Sequence, residues 1–164
     1  MAKKENKTNA MRILEKLKIP YEMRTYECDM FIDGIHIADQ LSLPYDKVYK
    51  TLVTVGKSCN HYVFVIPIEE EIDFKKAARV VGEKSLEMLH LKDLTAVTGY
   101  VRGGCTAVGM KKKFRTVIQE DAKKLDEMVV SGGRIGLQLI VKPDDWLYAS
   151  EAEYADVVIG DTTK

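Results

Sequence analysis

The chain has 164 residues, and its 25 basic and 25 acidic side chains cancel. That length suits one domain with its own core. The zero balance leaves no global field to draw the protein onto a polyanion, so any nucleic-acid contact must come from a local patch. Three cysteines, Cys28, Cys59 and Cys105, lack CxxC spacing, which argues against a disulfide framework and a structural zinc site. The lysine-rich start is followed by no apolar h-region, and no run approaches a membrane span. A soluble, unexported protein of the reducing cytoplasm is expected, with no membrane partner and no metal.

In chain order, Ala10, Ile13, Leu14 and Leu17 follow helical spacing, with Asn6 or Thr8 as N-cap and Pro20 closing the segment. Tyr21 to Tyr26 alternates apolar and charged residues as a half-buried strand does. A loop through Cys28 and Asp33 leads to a short helix over Ile35 to Leu43, ended by Pro44, and Asp46 could cap a further turn. Val48 to Val55 reads as a strand carrying Lys50, and Gly56-Lys57-Ser58-Cys59-Asn60 as a hairpin turn into a second strand, His61 to Pro67. Asp73 caps a helix through Val81, with Gly82 at its end. Ser85 to Leu91 reads as a helix or turn, and Lys92 to Thr98 as a short helical turn. Thr116 to Ile118, Glu127 to Ser131 and Leu137 to Val141 read as strands, and Asp144 to Ala149, after Pro143, as a helix. With no repeat or linker, one domain over residues 1–164 is expected, a mixed α/β fold with a largely antiparallel sheet and flanking helices.

Two features point to chemistry. Lys50 sits in the apolar strand Val48-Tyr49-Lys50-Thr51-Leu52-Val53, and an ammonium there either snorkels to solvent or faces an anion. Downstream, Gly99-Tyr100-Val101-Arg102-Gly103-Gly104 continues to Gly109-Met110-Lys111-Lys112 and offers bare amides for a phosphate, a carboxylate or a developing oxyanion. Neither a GxxxxGK[ST] nor a GxGxxG pattern occurs. The string Lys111-Lys112-Lys113-Phe114-Arg115 is either a solvated face or a contact to an RNA backbone. Cys105 as a nucleophile would need a pKa-lowering neighbour, and the sequence certifies none among His36, His61 and His90. Glu69-Glu70-Glu71 and Asp73 read as helix-start charge.

With Val130-Ser131-Gly132-Gly133-Arg134 and Gly136-Leu137, these blocks stand in an order that resembles the YbaK/EbsC family of trans-editing proteins, related to the insertion domain of bacterial prolyl-tRNA synthetases. The resemblance runs from about Thr8 to Val158. It implies a mixed α/β domain around a curved, barrel-like sheet, and an aminoacyl-tRNA deacylase that hydrolyses Cys-tRNA(Pro) without a cofactor. The partners it implies are the acceptor end of proline tRNA and, in a transient complex, prolyl-tRNA synthetase. Lys50 matches the family's essential lysine and Thr51 its neighbour in the pocket. Tyr26 matches a pocket tyrosine, Gly103 and Gly104 the backbone facing the scissile ester, and Ser131 and Gly132 another part of the pocket wall. Asp33 stands where an aromatic pocket residue is expected, Gln138 where an acid is, and Thr106-Ala107 where many members carry Ser-Pro. Such editing is thought to use the substrate cysteine's own thiol, in keeping with the missing triad. Removal of alanine or another small amino acid, and non-catalytic binding of a nucleotide or aminoacyl end, are the rival readings.

Overall fold

The structure, a computed structural model, describes residues 7–25 and 43–159. Helix α1 (Asn9–Lys16) opens on Thr8, whose hydroxyl accepts the Met11 N–H at 3.2 Å, and buries Ala10, Met11 and Leu14. Strand β1 (Glu22–Thr25) follows. A 3-10 turn at Tyr45–Lys47 leads into β2 (Tyr49–Gly56), which turns back as β3 (His61–Pro67). Helix α2 (Phe74–Val81) has an Asp73 carboxylate accepting the Lys75 and Lys76 N–H groups and Gly82 at its C-terminus with φ 79°. A cap of this kind contributes about 1 kcal/mol. Then come β4 (Leu86–Met88), α3 (Leu94–Thr98), β5 (Arg115–Gln119), β6 (Met128–Ser131), β7 (Leu137–Val141), α4 (Pro143–Ser150) and β8 (Glu153–Ala155).

The strands form two sheets, one of order β1-β7-β6 and one of order β4-β2-β3-β5-β8. Antiparallel pairing joins β1 to β7, β6 to β7, β2 to β3 and β2 to β4, while β3–β5 and β5–β8 are parallel. A parallel bridge between Val48 and Val129 links the two sheets. The mixed α/β expectation holds, but among the described residues the sheets do not close into a barrel.

Alternation along the strands divides the interior. Tyr49, Val65, Ile118, Val130 and Leu139 pack with α1 and Trp146 of α4 in the main core. On the other face of the five-stranded sheet, Phe64, Ile66 and Val117 meet Ala77, Ala78 and Val81 of α2. Fully burying side chains of this size stabilises by roughly 1.5–3 kcal/mol each. A small third cluster, Val48, Ile68, Val129 and Ile140, fills the seam where the sheets meet.

Two local expectations change, and one strand has no counterpart in the sequence reading. The segment read as a helix or turn over Ser85 to Leu91 contains β4, because Leu86 is drawn inward while the chain pairs with the edge of β2 at Gly56. Strand β1, expected to be half-buried, is exposed at all four positions, since among the described residues it is an edge strand with β7 on one side only. Strand β8 carries no periodicity of its own and is set by pairing with β5. The helix expected at Ile35 to Leu43 lies outside the described residues except for Leu43 itself.

Candidate active site

Lys50 is held by strand alternation. Tyr49 turns into the main core and Leu52 packs against the cluster beneath α2, so Lys50, in phase with Leu52, leaves the main core and points along the seam. Its ammonium donates to the Ile68 carbonyl at 3.5 Å and is only partly buried. Burial pulls its pKa below the ordinary lysine value, and the carboxylates of Glu71 and Glu70 oppose that shift. Those two acids, read from the sequence as helix-start charge, therefore also set the field at Lys50. The signal was available: β3 returns beside β2, which brings the string after Pro67 back to the lysine.

Cross-strand register extends the site from Lys50. The isolated parallel bridge between Val48 and Val129 lays the start of β2 beside β6, two residues before Lys50 on one strand and Ser131 on the other. Ser131 is opposite Gln138 in the β6–β7 pair, and Gln138 is opposite Arg24 in the β7–β1 pair. Ser131, Gln138 and Arg24 thus form one row across β6, β7 and β1, beside the apolar seam of Val48, Val129 and Ile140, with Lys50 two residues after Val48. Gln138 is buried, and Ser131 Oγ accepts the Gly133 N–H at 3.3 Å. Thr51 is in phase with Tyr49, on the opposite face of β2 from Lys50, and its hydroxyl is buried without a hydrogen-bond partner among the described residues. Tyr26 and Asp33 lie outside the described residues.

The glycine loop reaches this row through the β6–β7 turn. Gly103 has φ 83° and occupies the third position of a turn closed by the Gly104 N–H donating to the Val101 carbonyl at 2.9 Å. A positive φ there is the reason for a glycine. The Gly104 amide is thereby engaged, while that turn leaves the Gly103 N–H out. Gly104 itself lies against the Arg134–Ile135 backbone, in the turn that begins at Gly132, immediately after Ser131. The same turn is tied down from the other side, because the Thr8 hydroxyl donates to the Gly132 carbonyl at 2.6 Å. Tyr100 completes the clamp by donating its hydroxyl to the Val108 carbonyl at 2.7 Å.

Cys105 follows the glycines, and burial pushes its thiol up to about 11, so it is protonated at neutral pH. The geometry gives the Lys50 cation, the neutral polar pair Ser131 and Gln138, and a glycine turn, an arrangement fit to hold an anionic or polar ester without a protein nucleophile. Apart from this row, a cleft of about 1100 Å3 lies between the end of α1, residues 107–114 and α4, and Lys50 does not line it.

Residues 35–148 match the aminoacyl-tRNA editing domain, which spans more than half of the sequence. The chain belongs to the aminoacyl-tRNA editing domain family. A curated relative from Enterococcus faecalis, named as a candidate Cys-tRNA(Pro)/Cys-tRNA(Cys) deacylase, EbsC, is 43% identical over 162 residues, covering 96% of this chain and 98% of the relative. A proline–tRNA ligase of Thermosipho africanus is 28% identical over 128 residues, which cover 78% of this chain and 21% of the ligase. A solved structure described as a candidate trans-editing enzyme for prolyl-tRNA synthetase superposes with a TM-score of 0.79 at 22% identity, covering 95% of this chain and 100% of that one. In this editing domain the matched segment contains Lys50, the glycine turn and the Ser131–Gln138 hairpin.

Proposed function

We propose that this editing domain is a trans-acting deacylase that hydrolyses the ester of cysteine mischarged on proline tRNA, with residues 1–164 acting as one unit in the cytoplasm. The observation that carries the reading is the 43% identity, along nearly the full length of both chains, to a relative named for Cys-tRNA deacylation. Lys50 would anchor the phosphate or ribose oxygens of the 3′-terminal adenosine, and the amide at Gly103 would face the carbonyl oxygen as charge develops on it. Ser131, Gly132 and Gln138 would wall the aminoacyl group, with Tyr26 and Asp33 as further contacts, while the Thr51 side chain, on the opposite face of β2 from Lys50, stays out of the pocket.

The substrate thiol supplies the nucleophile. Its sulfur bonds to its own carbonyl carbon, the bond to the ribose oxygen breaks, and the thiol proton ends on that oxygen, releasing tRNA and a thiolactone that water opens to cysteine. The raised pKa of Cys105 agrees with a protein that contributes no thiolate of its own. Because the net charge is zero, affinity for tRNA alone should be modest, and a transient complex with prolyl-tRNA synthetase would raise the effective concentration.

The test is release of labelled cysteine from Cys-tRNA(Pro) by the wild type and by Lys50→Ala, with Ala-tRNA(Pro) and Ser-tRNA(Pro) in parallel. Cysteine release that is lost in the variant, with serine and alanine retained on their tRNAs, is expected. Alanine release would move the protein to a water-dependent specificity, and inactivity on all three would favour a binding role.

A further inference from the structure

The cleft between α1 and α4 is separate from Lys50, and its wall follows the glycine turn along the chain. Its lining run starts at Ala107, three residues after Gly104, and carries Lys111, Lys112 and Lys113 on its wall. All three lysines are exposed. Of the acids that share the cleft, Glu151 pairs with Lys113, and Asp144 accepts the Tyr154 hydroxyl at 2.9 Å and keeps its charge, so three lysines face two carboxylates and the wall carries a net positive charge. Lys111 donates to the Ala96 carbonyl at 3.3 Å, which fixes the ammonium without neutralising it, and among the described residues Lys112 has no ion pair. Across from them Tyr148 presents its ring with 67% of its surface exposed. Phe114, tilted on His61 at 5.4 Å, anchors the end of the run.

A cationic loop with one lysine in excess over its carboxylates, opposite an exposed aromatic, suits a polynucleotide backbone with accessible bases. From Gly104 to Lys112 the chain spans at most about 28 Å, so the lysines lie within the reach of roughly eight nucleotides of a strand whose 3′ end sits at the glycine turn. We propose that the cleft is a second nucleic-acid site that docks the phosphodiester backbone of the tRNA acceptor arm through Lys111 and Lys112, with Tyr148 stacking on a base. This rests on the deacylase reading for the direction of the strand, but binding can be measured without turnover.

The experiment follows binding of uncharged proline tRNA by fluorescence anisotropy over a salt series, for the wild type, Lys112→Glu, Lys111→Gln and Tyr148→Ala. These positions are exposed, and Lys111→Gln keeps most of the stem that packs over Gly99. Each lysine change is expected to weaken binding about threefold at moderate salt, and the pair to flatten the log–log salt slope by about 1 to 2. Hydrolysis of a cysteinyl ester of adenosine should be unchanged in all of them. Wild-type binding or a salt slope that the lysine changes leave intact overturns the docking site, as does an absence of tRNA binding. Lysine-dependent binding by a protein that releases no cysteine would uphold the site and overturn the deacylase reading instead.

Discussion

Gly104 is seated on the backbone of Arg134: a Cβ at Gly104 would lie 2.7 Å from the Arg134 Cα and 2.9 Å from its carbonyl carbon. Two stretches separated by about thirty residues are thereby locked together, and the contact is with main chain, which has no rotamer to yield. Gly103, beside it, is required for a different reason, its φ of 83°.

Alanine at these two positions should therefore fail in distinguishable ways. Gly104→Ala must push the two loops apart, at a cost of about 1–3 kcal/mol, and should lower cysteine release because the turn moves away from Ser131. Gly103→Ala strains the backbone by roughly 1–2 kcal/mol through its positive φ. Urea unfolding and single-turnover hydrolysis on both variants check this, and wild-type stability in Gly104→Ala would mean that the loops are not in contact.

Lys50 should lower stability where it supports activity. Its pKa is depressed by burial, so between the folded value and the ordinary lysine value near ~10.4 the unfolded chain binds more protons, and stability rises with pH across that window. Below the folded pKa the cost of burying the ammonium is fully present. Lys50→Met is therefore expected to raise the melting temperature slightly at pH 7, with a gain that shrinks as pH climbs toward 10.4, and to lose hydrolysis. Thermal melts across pH, beside rates corrected for protein-free ester hydrolysis, decide it; a lower melting temperature at pH 7 would show that Glu70 and Glu71 outweigh desolvation.

Of the two described cysteines, Cys59 is exposed and Cys105 is partly buried with its thiol pushed up to about 11. Alkylation at pH 7 should label Cys59 and spare Cys105, since the thiolate is the reactive species. Cys105→Ala should keep cysteine release within a few-fold of wild type. Rapid labelling of Cys105, or loss of hydrolysis in that variant, would assign a protein thiol to the reaction.

The sequence by itself determined what depends on neighbours along the chain. Thr8 and Asp73 as caps, Gly82 as a helix end and the turn between Gly56 and Asn60 are each decided within a few residues by hydrogen bonds and allowed dihedrals. The ordered blocks around Lys50, Gly103-Gly104 and Ser131-Gly132 were legible as a resemblance in the same way, residue by residue. Tertiary structure alone decided the rest. Leu86–Met88 is a strand because β2 offers an edge, Glu70 and Glu71 act on Lys50 because β3 folds back beside β2, and Gln138 joins the row because β7 pairs with β6. Placing Gly104 on Arg134 and Val48 beside Val129 requires contacts between segments thirty to about eighty residues apart. Local pattern cannot carry that information, because such contacts form only once the intervening chain is ordered, its loop-closure entropy offset by burial of the core the segments share.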